Sequence, residues 1–406
     1  MLNVIFVAPY FLETTLRFVE GASGLAGVRF GLISTDPAER LPDTLRARLA
    51  AHWRVQDCLD PGQIVWAARG MSERMGLPER LIGTLEELQV PLAEARATLG
   101  IPGMSVEAAH NFRDKSRMKT VLASAGLPCA RHRLAETREE VWAFADEVGY
   151  PLVVKPPAGA GARNTFRVDD AGRMEEVLQV VPPSRERPTL VEEFVRGDEH
   201  SFDSVCINGQ PVWHSISRYY PTPLEVIENP WIQWCVLLPR EIDGPEFDPI
   251  RDSGFRALQA LGMQTGLSHM EWFYRRDGSI AISEVAARPP GAQFTTLISY
   301  AHDMDLYKAW AQLMVHGEFD PPPRRWAVGV AFLRGQGSGR VKGIFGLERV
   351  APALGPITVE VKLPREGQSP TGTYEGDGFV MVRHPETAVV ERALSMIVKN
   401  IKVELG

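Results

Sequence analysis

The stretch HMEWFYRRDGSIAISEVAAR, residues 269–288, predicts two strands that fold back on each other. Its Asp277-Gly278 pair is preferred in tight turns between antiparallel strands. Counting outward from this turn gives a register with three pairs: Arg276 with Ser279, Phe273 with Ile282, and Glu271 with Glu284. Directly opposed residues have Cβ atoms about 4.5–5.5 Å apart on one face of the sheet. The two glutamates are therefore predicted to face each other closely.

Facing carboxylates repel each other unless a positive charge lies between them. Mg²⁺ prefers oxygen ligands, and proteins usually hold it with one or two carboxylates plus phosphate oxygens. Strand alternation puts His269, Ala286 and Arg288 on the same face as the glutamates. The other positions of this face are mostly apolar, which disfavours a solvated charged surface: Phe273, Ile280 and Ile282. We therefore predict that Glu271 and Glu284 bind a divalent cation.

A second segment, VVKPPAGAGARNT at residues 153–165, predicts an apolar strand that ends in Lys155 and is followed by a small-residue loop. A loop containing Gly159 and Gly161 allows backbone N–H groups to approach phosphate oxygens, and the lysine supplies a positive charge. The segment lacks the G-x-x-x-x-G-K-[ST] pattern of a Walker A loop. By itself it fits either a phosphate site or a solvated lysine at the end of a strand.

A third segment, LVEEFVRGDEHSFD at residues 190–203, predicts strands at 190–194 and 200–207 joined by a turn at 196–198. The linking residues offer backbone groups to an adenine edge and a carboxylate to ribose hydroxyls. Spacing alone fits an acidic hairpin turn equally well.

The rest of the chain predicts mixed α/β structure. Strands at 2–8 and 28–34 with a helix between them indicate a parallel sheet, and no G-x-G-x-x-G follows the first strand. A helix is predicted over 111–126. The aromatic stretch 214–234 is predicted to be an irregular loop, either a lid over a site or a structural loop. Boundaries near residues 112 and 322 divide the chain into three domains.

The 406 residues carry 44 basic and 51 acidic side chains, a net charge of −7. This acidic balance argues against nucleic acid as the main partner. No apolar run approaches the roughly 20 residues of a membrane span, and the N-terminus lacks the basic start of a signal peptide. We expect a cytoplasmic protein with reduced, structural cysteines, none of them in a C-x-x-C pair: Cys58, Cys129, Cys206 and Cys235.

These segments together resemble the ATP-grasp superfamily, in particular carboxylate–amine ligases such as L-amino acid ligases, and also biotin carboxylase-like enzymes. The features that carry the resemblance occur in one order: Asp114-Lys115, Lys155 before its loop, Glu-Glu-Phe-Val-x-Gly-x-Glu, Glu271, Glu284 and Arg288. The resemblance implies a parallel α/β domain at 1–111, a two-lobed ATP-grasp domain at 112–322 and a β-rich C-terminal domain at 323–406.

The resemblance also implies roles for individual residues. It assigns ATP phosphates to Lys115 and Lys155, adenine to Glu192 and the backbone of Glu193 and Val195, ribose to Glu199, Mg²⁺ or Mn²⁺ to Glu271 and Glu284, and the transferred phosphate or substrate carboxylate to Arg288. One departure is Ala286, because the family usually reads Glu-x-Asn-x-Arg at this point. His269 remains open as a substrate-orienting group, a base or a structural histidine.

The resemblance implies a ligase that uses ATP to convert a small-molecule carboxylate to an acyl phosphate and joins it to an amine, releasing ADP and phosphate. A homodimer is left open. Two alternatives share the ATP site: a carboxylase-type or purine-pathway ATP-grasp enzyme, and a non-catalytic ATP-binding protein, which only Ala286 suggests.

Overall fold

The computed structural model describes residues 1–159 and 164–406, and the chain begins with a four-stranded parallel sheet in the order β3-β2-β1-β4. The expected parallel pairing of residues 2–7 with 28–33 is confirmed. The elements of this N-terminal unit are β1 Leu2–Val7, α1 Glu13–Ser23, β2 Val28–Ser34, α2 Asp43–Arg46, β3 Ala51–Arg54, α3 Pro61–Met75, β4 Arg80–Ile82, α4 Gln89–Leu99 and α5 Val106–Arg113.

The helix predicted over 111–126 is two helices, so its predicted start is wrong. Helix α5 ends at Arg113, and α6 runs over Lys115–Ser124. Asp114 between them is extended, and its side chain accepts hydrogen bonds from the backbone N–H groups of Ser116 and Arg117. A carboxylate in this position caps a helix start because it satisfies N–H groups that lack a partner within the helix.

A small lobe follows, built on an antiparallel sheet in the order β5-β8-β6-β7. Its elements are β5 His132–Ala135, α7 Arg138–Val148, β6 Leu152–Lys155, β7 Phe166–Val168, α8 Ala171–Val180 and β8 Thr189–Glu193. Helices α7 and α8 contribute apolar side chains to the core of this lobe. Strand β6 ends at Lys155, as predicted.

The centre of the molecule is an eight-stranded antiparallel sheet in the order β13-β12-β9-β10-β11-β14-β18-β17. Its first part comprises β9 Asp198–Ile207, β10 Gln210–Tyr220, α9 Pro223–Glu228, β11 Cys235–Leu238, α10 Asp248–Leu261, β12 Gly266–Tyr274, β13 Ile280–Ala286, α11 Phe294–His302 and α12 Leu306–His316. Strands β8 and β9 lie in different sheets, so the alternative of an acidic hairpin at 196–198 is wrong. That segment connects the two lobes.

The C-terminal portion extends the same central sheet, because β14 pairs with β11 and β18 pairs with β14. Its elements are β14 Ala327–Leu333, β15 Gly335–Gln336, β16 Val341–Phe345, α13 Leu347–Leu354, β17 Thr358–Lys362, β18 Gly378–His384, α14 Thr387–Asn400 and β19 Lys402–Leu405. Short 3-10 turns occur at Ala38–Arg40, Glu86–Leu88, Pro245–Phe247 and Gly355–Ile357.

The stretch 214–234 is mostly regular, which corrects the predicted irregular loop. Strand β10 continues to Tyr220, and α9 begins at Pro223 with Thr222 as its cap. Prolines at 221, 223 and 230 suggested a loop, but Pro223 occupies the first helical position, where proline needs no hydrogen bond. Only the short segment after α9 lacks regular structure.

One apolar core joins the N-terminal unit to the central sheet. It includes Phe6 and Phe18 of the N-terminal unit, Trp310 of α12 and Trp234 beside the sheet. A buried core shared in this way holds the two units at a fixed distance. Within the part of the chain that the structure describes, no helix is long and apolar enough to cross a membrane.

We expect Asp114→Ala to lower the free energy of unfolding by about 1 kcal/mol, because the first turn of α6 loses its cap. Thermal unfolding of the purified variant measures this change. Asp114→Ser is the matched control, since its hydroxyl also caps helices, and it should unfold close to wild type. Equal stability of the alanine variant and the wild type would contradict a capping role.

Candidate active site

A cleft of about 1720 Å³ separates the small lobe from the central sheet. At one end it is lined by the small lobe and by the linker between β8 and β9. At the other end, called the α1 end below, it is lined by α1 and three further segments: residues 84–87, 289–294 and 371–375. Parts of the chain that are far apart in the sequence therefore build one cavity.

Glu271 and Glu284 are directly opposed across β12 and β13, and both line this cleft. The register nearer the turn differs from the prediction, because Phe273 pairs with Ala281 and Trp272 with Ile282. The predicted pairing of Phe273 with Ile282 is wrong. An irregularity between Glu271 and Trp272 leaves Ser283 of β13 as one extra residue and restores the predicted register at the glutamates.

The extra residue also changes which side chains share a face. Ile280 and Ile282 pack in the core beneath the sheet with Met270 and Trp272, so their predicted place beside the glutamates is wrong. Ser283 lines the cleft together with Glu284. A strand bulge puts two consecutive residues on one side in this way.

Lys115 links three elements of the site. Its Nζ lies 2.9 Å from Oε1 of Glu284 and donates to the carbonyl oxygen of Gly159 at 3.0 Å. Burial raises the pKa of Glu284, but the charges of Lys115 and Lys155 outweigh it and hold the pKa below its usual value. Glu284 is therefore ionised and available as an oxygen ligand. Gly161, the second predicted loop glycine, lies outside the described residues.

Glu192 lies between two buried lysines. Its Oε2 is 3.1 Å from Nζ of Lys155, and its Oε1 is 3.5 Å from Nζ of Lys119. Burial raises the pKa of Glu192, but the two lysines outweigh it and lower the pKa. Burial lowers the pKa of Lys155, but Glu192 and Glu284 outweigh it and raise that pKa. The carboxylate of Glu192 is thus occupied by its contacts with Lys119 and Lys155.

Sequence reasoning missed Lys119 as a site residue. It is fully buried, with 0% exposure, and its Nζ donates to the carbonyl oxygen of Ser283 at 3.0 Å. Burial lowers its pKa more than the charge of Glu192 raises it. The available signal was its spacing, because Lys119 lies four residues after Lys115 and therefore on the same helix face.

The other residues predicted to hold the nucleoside lie in the linker between the lobes or next to it. Val195 lies in the linker and lines the cleft. Glu193 ends β8 and also lines the cleft, and its carboxylate accepts a 2.8 Å hydrogen bond from Arg131. Glu199 is the second residue of β9 and is 8% exposed. Burial, together with the charge of Glu271, raises the pKa of Glu199 well above its usual value.

His269 belongs to a buried polar network. Its Nδ1 lies 2.6 Å from Asp203, which also accepts a hydrogen bond from Ser201 at 3.0 Å. Burial lowers the pKa of His269, but the charges of Asp203 and Glu271 outweigh it and raise the pKa to about 9. The ring is therefore protonated at neutral pH and has no free lone pair to act as a base.

Arg288 faces the cleft and connects it to the N-terminal unit. Its Nε donates to the carboxylate of Glu86 at 2.5 Å, and its Nη1 donates to the carbonyl oxygen of Pro289 at 2.8 Å. Burial lowers the pKa of Arg288, but Glu86 and Glu284 outweigh it. The guanidinium is thus a fixed positive charge at the junction of two units.

Residues 120–302 match the ATP-grasp domain family. The chain contains an ATP-grasp domain. This finding confirms the resemblance drawn from the sequence motifs, and the match covers both lobes around the cleft.

Comparisons with individual proteins agree with the match to the ATP-grasp domain family. An L-arginine-specific L-amino acid ligase of Bacillus subtilis is 24% identical over 248 residues, which are 60% of this chain and 59% of that protein. The chain spans about three fifths of the length of the first curated relatives that it matches, 63% and 59%. These matches relate the chain to ATP-grasp ligases.

Solved structures share the whole fold. An L-amino acid ligase from Bacillus licheniformis has a TM-score of 0.79 at 21% identity, covering 100% of this chain and 99% of that one. An N5-carboxyaminoimidazole ribonucleotide synthetase from Thermotoga maritima has a TM-score of 0.70 at 18% identity, covering 100% of both chains. The structural similarity therefore includes the N-terminal and C-terminal portions as well as the ATP-grasp domain.

We expect Glu192→Gln to lower the free energy of unfolding by about 3 kcal/mol, because it leaves two buried lysines without their carboxylate. Lys119→Met should lower the free energy of unfolding by less, because Glu192 stays paired with Lys155 and the buried positive charge of Lys119 is removed. Denaturant unfolding of both purified variants measures the difference. A Glu192→Gln variant as stable as Lys119→Met or more so would mean that the carboxylate does not compensate the lysines.

Proposed function

We propose that this chain is an ATP-dependent ligase that activates a carboxylate as an acyl phosphate and joins it to an amine, releasing ADP and phosphate. The observation that carries the proposal is the convergence of opposed glutamates and buried lysines in one cleft. This arrangement provides both signs of charge needed to hold a triphosphate and a cation. Phosphoryl transfer depends mainly on such positioning and charge neutralisation.

ATP is proposed to lie in the cleft between the two lobes. Lys115 and Lys155 contact its phosphates, with Gly159 and Gly161 in the adjoining loop. The backbone of Glu193 and Val195 in the linker holds the adenine edge, and Glu199 binds ribose hydroxyls. For Glu192, we propose that only the backbone contacts adenine, because its carboxylate is bound by two lysines.

The donor set at Glu271 and Glu284 fits Mg²⁺, and Mn²⁺ has the same preference for oxygen. Two ionisable carboxylates face the cleft, and Mg²⁺ commonly needs only one or two protein carboxylates beside phosphate oxygens. Within residues 1–159 and 164–406, no group of three or more His, Cys, Asp or Glu side chains forms a metal site by itself. Phosphate oxygens and water molecules would therefore complete the coordination. When bound, the cation neutralises negative charge on the transferred phosphoryl group.

The chain's own residues supply the remaining stabilisation. Arg288 is proposed to hold the substrate carboxylate or the transferred phosphate, because its charge is fixed at the cleft wall by Glu86. Protonated His269 is proposed to orient substrate as a hydrogen-bond donor. Carboxylate oxygen then attacks the γ-phosphorus of ATP, and ADP leaves. Amine nitrogen attacks the acyl carbon, and phosphate leaves.

The charges at the α1 end favour an amine over a phosphate-bearing substrate, such as the ribonucleotide named for the Thermotoga maritima neighbour. Among the described residues, the basic side chains lining this end are Arg288 and Lys362. Lys362 is paired with Glu13 at 3.0 Å, and Arg288 is already assigned to the substrate carboxylate or the transferred phosphate. A dianionic phosphate usually requires arginine or lysine side chains that are free to bind it. This observation disfavours the purine-pathway alternative.

We expect ADP and phosphate to form when the purified chain is incubated with ATP, Mg²⁺ and its substrates. A panel of amino acids and small carboxylic acids is screened, and nucleotide products are separated by chromatography. Lys155→Ala should lower turnover by about 100-fold, because a charge at the phosphates is lost. Lys399→Ala is the control, since Lys399 is exposed on α14, away from the cleft.

Other outcomes of the same screen would contradict the proposed ligase function. AMP would contradict acyl phosphate formation, and dependence on bicarbonate would indicate a carboxylase-type enzyme. Tight ATP binding without turnover of any carboxylate would favour the non-catalytic binding protein.

We expect Glu271→Gln and Glu284→Gln each to lower turnover by about 100-fold and to raise the Mg²⁺ concentration required, because an oxygen ligand loses its charge. Without ATP, Glu271→Gln should keep its melting temperature, whereas Glu284→Gln should melt lower because Lys115 loses its partner. Magnesium titrations and thermal unfolding measure both effects. Full activity at unchanged Mg²⁺ demand in both variants would exclude the proposed ligands.

A further inference from the structure

The segment Thr371–Glu375 connects β17 to β18 and lines the α1 end of the cleft. It comes from the C-terminal portion, outside the matched range 120–302. None of the sequence motifs that indicated ATP binding includes it. Its side chains nevertheless face the same cavity as Glu271, Glu284 and Arg288.

Several contacts hold this segment in place. Arg334 donates through Nε to the carbonyl oxygen of Thr373 at 3.1 Å, and Asp377 accepts from the backbone N–H of Thr371 at 2.8 Å. The ring of Tyr374 packs edge-on against Trp234, with centroids 4.7 Å apart. A segment fixed by polar and aromatic contacts presents its side chains in a defined position, as a binding group requires.

Arg334 also ties this segment to the opposite wall. Its Nη1 donates to the carbonyl oxygens of Val226 and Ile232 at 2.7 and 2.9 Å. Those residues belong to α9 and the segment that follows it, and α9 lines the cleft as well. One buried guanidinium therefore fixes two walls relative to each other.

Glu375 is only partly exposed, and its carboxylate lines the cleft. Across the described parts of the chain, it forms no ion pair within 4.0 Å. Burial raises the pKa of its carboxyl group. Placing a carboxylate in such surroundings costs free energy unless a positive group or a proton arrives. A ligand that carries an ammonium ion provides both.

Glu375 and the residue before it, Tyr374, line the cavity that also contains Glu271, Glu284 and Arg288. Among the other carboxylates described at this end, Glu86 is paired with Arg288 and Glu13 with Lys362, and Glu87 is exposed to solvent.

We propose that Glu375 binds the ammonium group of the amine substrate and accepts its proton, which makes it a catalytic residue of the amide-forming step. The inference rests on the proposed ligase function. The ammonium transfers one proton to the carboxylate, giving a neutral amine and a carboxylic acid. The amine nitrogen forms a bond to the acyl carbon, and the carbon–oxygen bond to phosphate breaks with its electron pair on oxygen. The second nitrogen-bound proton leaves with phosphate.

His269 does not supply this function. Its Nδ1 is occupied by Asp203 at 2.6 Å, and its Nε2 lies 3.8 Å from Glu271. Its hydrogen-bonded position also leaves the ring fixed in the sheet. Glu375 is therefore the partly buried carboxylate at this end of the cleft that lacks an ion-pair partner among the described residues.

The test separates carboxylate activation from amine attack by using hydroxylamine. This nucleophile is mostly uncharged at mildly alkaline pH, attacks acyl phosphates directly and yields a coloured ferric hydroxamate. Using the carboxylate and amine found by the screen, we expect Glu375→Gln to lower amide formation by about 100-fold. ATP-dependent hydroxamate formation should stay within about threefold of wild type, because no ammonium has to be bound or deprotonated.

Glu366→Gln is the matched control, since Glu366 is exposed in the same portion and does not line the cleft. It should leave both products unchanged. If Glu375→Gln fails to fold, Glu375→Asp is used in its place. In this variant too, amide formation should fall more than hydroxamate formation. Equal loss of both products, or of neither, in the folded variant would overturn the role of Glu375. Absence of hydroxamate from the wild type with every carboxylate tested would instead refute the ligase function itself.

Discussion

The site depends on the ionic contacts that buried lysines make with carboxylates from other segments. Lys119 and Lys155 share Glu192, and Lys115 pairs with Glu284. Each contact joins α6 or β6 to another strand, so the contacts fix both lobes around the cleft. Isolated buried charges are too costly to persist. The carboxylates therefore compensate the charges of these lysines and hold their ammonium groups at the cleft.

The fold surrounds this charged centre with a continuous framework. The central sheet runs from β13, at the glutamates, to β17 in the C-terminal portion. The apolar core reaches from that sheet into the N-terminal unit through Phe18 and Trp310. The contact of Arg288 with Glu86 crosses the same junction. Residues from distant parts of the sequence consequently face one cavity without belonging to one motif.

The sequence predicted the features that depend on local rules. The Asp277-Gly278 turn and strand alternation located the opposed glutamates, and a run of apolar residues located the strand that ends in Lys155. The bulge was not predictable, because a simple count from the turn assumes one residue opposite each residue. Its consequence was that Ile280 and Ile282 were assigned to the wrong face.

Tertiary packing decided the remaining features. The linker at 196–198 resembles a hairpin locally, but its two strands join different sheets. Lys119 shares helical spacing with Lys115, yet only the folded structure brings it to Glu192. Glu375 lies in a segment without periodicity, and its place in the cleft follows from contacts with Arg334 and Trp234. Such positions are set by long-range contacts that sequence spacing does not contain.

In the proposed reaction, the substrate carboxylate attacks the γ-phosphoryl group of ATP. The most direct measurement uses a carboxylate labelled with oxygen-18 and follows the label by phosphorus NMR. We expect one labelled oxygen to appear in inorganic phosphate and none in ADP. Label in AMP, or phosphate without label during amide formation, would contradict an acyl phosphate intermediate.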